Sequence, residues 1–356
     1  MPPAFGREER SLVVLGETPY TGPHKSAGMA ERDPIERVLG HRVDLYDVAE
    51  WDPRTGLDRF AVAVHGWIRA SGHQLLIAMA ILLFIGQLGL AGLILVNRPA
   101  LGILALLSVV PALAIVGYFW YGDPTRREPL DNLAITFVLA VVFASFALVV
   151  NSAFQIAFGF IPIVGLALYY FLVVGPIEEV VKLLAVRSYA FDTESFDAVI
   201  DGAVYGAVAG LGFATIENAV YIIQGYIQVA SSGGGMALEG ALATAASRSF
   251  VGPGHVLYSA IAGYYLGLAK FNDDNFGPIV VKGLLIAITL HAIYNTTVTY
   301  LPAITGGSTI AFLGFVLLFD GLLAYFLYRK LSRYREYYGR IGDETAAVAA
   351  DASAEE

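Results

Sequence analysis

The chain has 356 residues, 56% of them hydrophobic and 15% charged, with a net charge of −9 and no cysteine. That balance lies outside what soluble globular domains show, and the missing thiols exclude disulfides, thiolate catalysis and cysteine-ligated zinc. No basic patch interleaved with aromatics is present, so no nucleic-acid partner is expected.

The apolar residues come in long blocks rather than in amphipathic stripes. A bilayer core about 30 Å thick needs about 20 apolar residues per helix, and block after block meets that length. The expected fold is an all-α integral membrane protein, a polytopic bundle of about eight transmembrane helices set in a lipid bilayer.

Residues 1–70 read as a polar N-terminal cytoplasmic segment, partly disordered, with no secretory-signal core. The first span is then expected to act as its own insertion signal. Within this segment Asp58–Arg69 is expected as a short helix on the membrane surface, with Trp67 at the interface. Spans are expected at about 74–96, 100–121, 131–157, 161–187, 198–226, 244–269, 276–300 and 308–330, making 71–330 the transmembrane domain. Residues 331–356 form a charged cytoplasmic tail. Basic residues such as Arg126, Arg127, Arg187, Lys270 and Lys282 crowd one side, against Arg98 and Arg248 on the other. By the positive-inside rule, both termini of a multi-pass protein of the cell membrane face the cytoplasm.

Gly202, Gly206 and Gly210 recur every four residues on the fifth span, and Gly263 and Gly267 do so on the sixth. Such ridges let helices approach closely.

Ionisable groups inside a span cost about 2.5–3.5 kcal/mol each, so each needs a reason. Here they gather on spans four to seven. In GPIEEVVK, Gly175-Pro176 breaks the helix and sets Glu178 and Glu179 in the next first turn, with Lys182 placed to pair with either. In GFATIENAVY, Glu217 and Tyr221 share a face. Gly252-Pro253-Gly254 reads as another helix start, with His255 in its first turn. In HAIYN, His291 and Asn295 lie four apart on one face. Asp201 falls near the inner end of its span, within reach of water. An isolated ion pair is as readily structural as functional, and a lone intramembrane histidine is more often structural. Three glutamates, two histidines and an asparagine on four consecutive spans point to chemistry.

Peptide hydrolysis needs a base to activate water and donors for the oxyanion, which glutamate, histidine and asparagine can supply. Alternatively, His255, His291 and Glu178 can bind zinc, whose water becomes the nucleophile. There is no HExxH, no helical GxSG and no Tyr-Asp with Gly-x-Gly-Asp pair.

GPIEEVVKLL, DGAVYGAVAGLGFATIENAVY, RSFVGPGHVLYSAIAGYYLGLA and LHAIYN resemble, in order, the four motifs of the PrsW family of intramembrane proteases, distantly similar to CAAX prenyl endopeptidases. The resemblance covers roughly residues 75–300. It implies an intramembrane endopeptidase acting on membrane-anchored protein substrates, with metal dependence or glutamate dependence left open. Carried over, Glu178, Glu179, Glu217, His255 and His291 match the family's acids and histidines, and Asn295 and Lys182 match flanking polar positions. For straight spans, the rise of about 1.5 Å per residue sets Glu217 near the opposite membrane face from Glu178 and Glu179, so either the breaks at Pro176 and Pro253 make half-helices or Glu217 lies outside the innermost site. A proton-coupled transporter or a non-catalytic scaffold on the same fold is the alternative reading.

Overall fold

The structure, a computed structural model, describes residues 54–354 apart from Arg126 and Gly234. Residues 1–53 of the polar segment, Arg126 and the side chain of Trp67 lie outside the described residues. Two compact units divide at Gly66, and every residue of the polar cluster on spans four to seven belongs to the second, Trp67–Glu356.

The described residues form α-helices with short turns and no strand among them. In chain order these are α1 (Gly56–Asn97), α2 (Pro99–Ser108), α3 (Val110–Tyr121), α4 (Leu130–Gly159), α5 (Gly165–Tyr169), α6 (Gly175–Arg187), α7 (Val199–Ser231), α8 (Ala237–Lys270), α9 (Phe276–Thr305) and α10 (Thr309–Ala354). A π turn, Tyr170–Val174, joins α5 to α6. The stretch 58–69, expected as a separate surface helix, falls within α1.

Helices occupy every stretch expected to span, and the chain is an all-α integral membrane protein. Among the described residues five helical segments are long and apolar enough to cross a bilayer: Ile77–Ile94, Leu130–Gly159, Val199–Ser231, Phe276–Thr305 and Thr309–Glu336. The pair α2 and α3, bent by 40°, makes a sixth if it is one span. The other two expected spans fall short of that test for visible reasons. One is divided by the π turn, and the other, α8, is diluted by Arg248, Pro253 and His255. Large apolar side chains such as Leu82, Ile163 and Ile310 point outward, as a lipid-facing surface requires.

α7 is the central helix, with most of its length buried. Its small residues explain why. A Cβ on Gly202, Gly206 or Gly210 would lie 2.2–2.4 Å from a carbonyl oxygen of Gly263, Ser259 or His255 on α8. The two backbones therefore touch along three turns, as the glycine ridges predict. On another face of α7, a Cβ on Gly212 would lie 2.6 Å from the carbonyl oxygen of Phe137 on α4. At its far end, α9 closes on Gly306 in the left-handed conformation, φ 63°.

Two expectations about local structure need correction. α8 runs unbroken through Pro253, so Gly252-Pro253-Gly254 is not a helix start and His255 lies in mid-helix. A proline in a packed membrane helix removes one hydrogen bond, which neighbouring helices can compensate. Asp201 is not within reach of water: it is fully buried, with its Oδ2 accepting from the backbone N–H groups of Asp197 and Ala198 at the start of α7. Near it, in the connection between α3 and α4, burial and then Asp123 push the Glu128 carboxyl up to about 9.

Gly206→Ala should lower stability by about 1–3 kcal/mol, because its Cβ would meet backbone rather than a movable side chain. Gly314→Ala on α10, where a Cβ meets nothing within 4 Å among the described residues, should change stability by less than about 1 kcal/mol. Chemical unfolding of both variants in detergent micelles checks the contrast.

Candidate active site

Four helices bring the polar residues together. Glu178, Glu179 and Lys182 stand at the start of α6, where the π turn and Gly175 set the helix against α9: a Cβ on Gly175 would lie 3.1 Å from the Ile288 oxygen. Glu217 falls near the middle of the 33-residue α7, and His255 near the middle of the 34-residue α8. His291 falls midway along the 30-residue α9. All of these side chains are at least nine-tenths buried.

The Lys182 ammonium is the hub. Its Nζ donates to Glu179 Oε1 at 2.7 Å, lies 2.9 Å from His255 Nδ1 and 3.8 Å from Glu178 Oε2, and sits over the Phe213 ring. Glu179 Oε1 also meets His291 Nδ1 at 2.8 Å. A ring N–H pointing at that carboxylate leaves the other nitrogen, Nε2, with its lone pair free. Nε2 lies 3.7 Å from Glu178 Oε2. Glu178 is held from its other side, since Asn151 Nδ2 donates to Oε1 at 2.9 Å, and Oε2 is buried with no hydrogen-bond partner. His255 and His291 meet edge to face with ring centroids 5.2 Å apart, and Tyr258 stacks on His291.

Of the two arrangements that straight spans leave open, the structure has Glu217 beside the cluster, although α8 runs unbroken through Pro253. Glu217 Oε2 lies 2.8 Å from His255 Nε2 and pairs with Arg248, whose Nε donates to Asn218 Oδ1 at 2.7 Å. The reason is helix length: α7 and α8 exceed the bilayer thickness, so their middles coincide with the break before α6. Asn295 is partly exposed on the wall and makes no hydrogen bond among the described residues. A cavity of about 410 Å³ opens onto the cluster, lined by Glu178, Glu217, His255, Asn295 and also by Asn151, Tyr170, Tyr221 and Arg248.

Asn151 and Arg248 were not among the expected site residues. Arg248 carried a signal, as a cation in a span about two turns before His255. Asn151 carried only that of an amide in an otherwise apolar stretch.

Glu178, His255 and His291 each offer one ligand atom within 4.8 Å of the others. The donor set fits a metal: two imidazoles and a carboxylate, an orphaned Glu178 oxygen, and a histidine whose far nitrogen is held by Glu179. Buried acids and histidines around a polar cavity inside an apolar bundle are what an intramembrane hydrolase or a proton relay requires.

Comparison with known proteins narrows this. The family model for "PrsW family intramembrane metalloprotease" matches residues 128–322. "Protease PrsW" of Clostridioides difficile (strain 630) is 32% identical over 198 residues, 54% of this chain and 77% of that protein. "Protease PrsW" of Geobacillus kaustophilus (strain HTA426) is 30% identical over 188 residues, 53% and 76% of the two chains. That of Bacillus subtilis (strain 168) is 28% identical over 197 residues, 54% and 82%. No solved structure matches the chain. The chain belongs to the PrsW family of intramembrane metalloproteases, and it is a peptidase.

Lys182→Met would strand Glu179 without its nearest counter-charge and should cost about 3–5 kcal/mol. Arg187→Met, which breaks the largely exposed pair with Asp192, should cost less than about 1 kcal/mol. Thermal unfolding of the two variants, compared with wild type, reads the difference.

Proposed function

We propose that the chain is an intramembrane endopeptidase that hydrolyses a peptide bond of a membrane-anchored protein substrate at the Glu178–His255–His291 cluster. The observation that carries this reading is the convergence of those three side chains within 4.8 Å beside a cavity that Glu178 and His255 line. Its volume, about 410 Å³, falls within the range of small binding pockets of roughly 300–1,000 Å³. That suits an unwound segment of one chain rather than a whole helix.

Glu178 is assigned as the general base. Asn151 orients its carboxylate through Oε1, and the unpartnered Oε2 takes the proton of a water that attacks the scissile carbonyl carbon. As the C–N bond breaks, the same oxygen returns the proton to the leaving amine. Arg248 and Asn295, on the cavity wall, are positioned to donate to the oxygen that gains charge. Glu179 holds His291 and Lys182, and Glu217 holds His255, so these two acids orient the histidines. In a metal-dependent version of the reaction zinc is the ion this donor set suits; Glu178, His255 and His291 would hold it, and Glu178 would then act as a ligand and not as the base. When bound, zinc polarises the carbonyl and activates water. The excess of Arg and Lys on one side of the spans supports insertion in the cell membrane with both termini in the cytoplasm.

Cleavage of a single-span reporter library by cells expressing wild type or Glu178→Gln tests the assignment. The variant should lose at least about 100-fold in rate at unchanged membrane level. Wild-type cleavage that survives chelation supports Glu178 as the base, whereas cleavage abolished by chelation and restored by zinc assigns Glu178 to the metal instead. Equal cleavage by the two proteins would remove Glu178 from the mechanism.

A further inference from the structure

A second group of acids lies well away from the cavity. Asp123 and Glu128 belong to the connection between α3 and α4, and Asp201 to the first turn of α7. Each offers an oxygen within 4.8 Å of the others. Asp201 and Glu217 share α7, sixteen residues apart, or about 24 Å at ~1.5 Å per residue. The two clusters are therefore separate sites.

The oxygens of this group divide into held and free. Asp123 Oδ1 accepts from the backbone N–H and the hydroxyl of Thr125, at 2.8 and 2.6 Å, while Oδ2 is buried without a partner. Asp201 Oδ2 accepts from the N–H groups of Asp197 and Ala198, at 2.8 and 2.7 Å, while Oδ1 is buried without a partner. Glu128 is 1% exposed, and neither of its carboxylate oxygens accepts a hydrogen bond from an N–H or hydroxyl among the described residues. No Lys or Arg pairs with any of the three among the described residues. Arg335 comes near, against Gly122, yet its Nε and Nη2 also lack partners.

Bonds thus orient two carboxylates from outside, while one oxygen from each of the three acids converges with the others and four of the group's oxygens are buried without a hydrogen bond among the described residues. Burying so many acceptors unpaired carries a heavy penalty, and carboxylates that close repel. We propose that Asp123, Glu128 and Asp201 bind a hard divalent cation, Ca²⁺ or Mg²⁺. All-oxygen donors select that class of ion over zinc or copper. Two ligands at ~2.4 Å from one ion reach across up to about 4.8 Å, so a single Ca²⁺ spans the group. Its role is mechanical. The ion ties the α3–α4 connection to the first turn of the helix that carries Glu217.

Terbium luminescence tests this, because Trp120 is a built-in antenna: its Nε1 donates to the backbone oxygen of Glu128 at 3.0 Å. Full-length protein in phosphatidylcholine nanodiscs, with Tb³⁺ added and indole excited, should emit. Glu128→Gln should abolish the emission, and Ca²⁺ or Mg²⁺ at millimolar concentration should displace Tb³⁺ from wild type. Whichever acts at the lower concentration is the preferred ion. If Glu128→Gln does not elute as a folded, monodisperse species, Asp123→Asn serves in its place. Emission unchanged in these variants, or resistant to both ions, would overturn the proposal and leave a shared proton or Arg335 as the counter-charge. Emission lost instead in Glu178→Gln would assign the ion to the active site and overturn it equally.

Discussion

Where α7 crosses α8, the carbonyl oxygen of His255 lies 2.4 Å from the place a Cβ on Gly210 would take. One turn away Gly206 meets Ser259 in the same manner, and Gly202 meets Gly263. Only hydrogen fits between these backbones. The contact sets the distance between the two helices and so puts Glu217 within 2.8 Å of His255. α6 and α9 then complete the site against this fixed pair, through Lys182 to His255 and through Glu179 to His291. In a bilayer the gain comes from packing and polar contacts rather than from hiding apolar surface, which is why small residues occupy the centre.

The charges survive burial because each is shared. Lys182 meets two acids and a histidine, and Glu217 meets an arginine and a histidine. Buried ion pairs rarely add net stability over apolar packing, and their separation is costly. The network is therefore better understood as a means of fixing geometry than as a source of stability. Of its acids, Glu178 faces the cavity and keeps a buried oxygen without a hydrogen bond among the described residues.

Much of this is legible in the sequence. Apolar blocks, glycine spacing and the placement of acids and histidines in spans all reflect the cost of polar groups in lipid, and the structure assembles Glu178, Glu179, His255 and His291 as those patterns imply. The depth of Glu217 escapes such a reading because bilayer thickness understates the length of α7, which continues well past it. Pro253 misleads because a proline flanked by glycines marks a helix start in water but is tolerated inside a packed membrane helix. Asn151 and the Asp123–Glu128–Asp201 group are not legible at all. An uncharged amide gives little signal, and residues more than seventy apart meet only once the helices have packed.

The π turn at Tyr170–Val174 has a bearing on how this site can vary. A π turn accommodates one residue more than the regular helix would, and each added residue rotates the downstream helix by about 100°. Tyr169 and Tyr170, bonded to Asn151 and Thr299, anchor it to α4 and α9. The direction in which Glu178, Glu179 and Lys182 face is thus written in the number of residues at this joint more than in their identity. Side chains there are free to drift so long as the anchors stay, while a single inserted or deleted residue would turn the whole acid pair away from the histidines at one stroke.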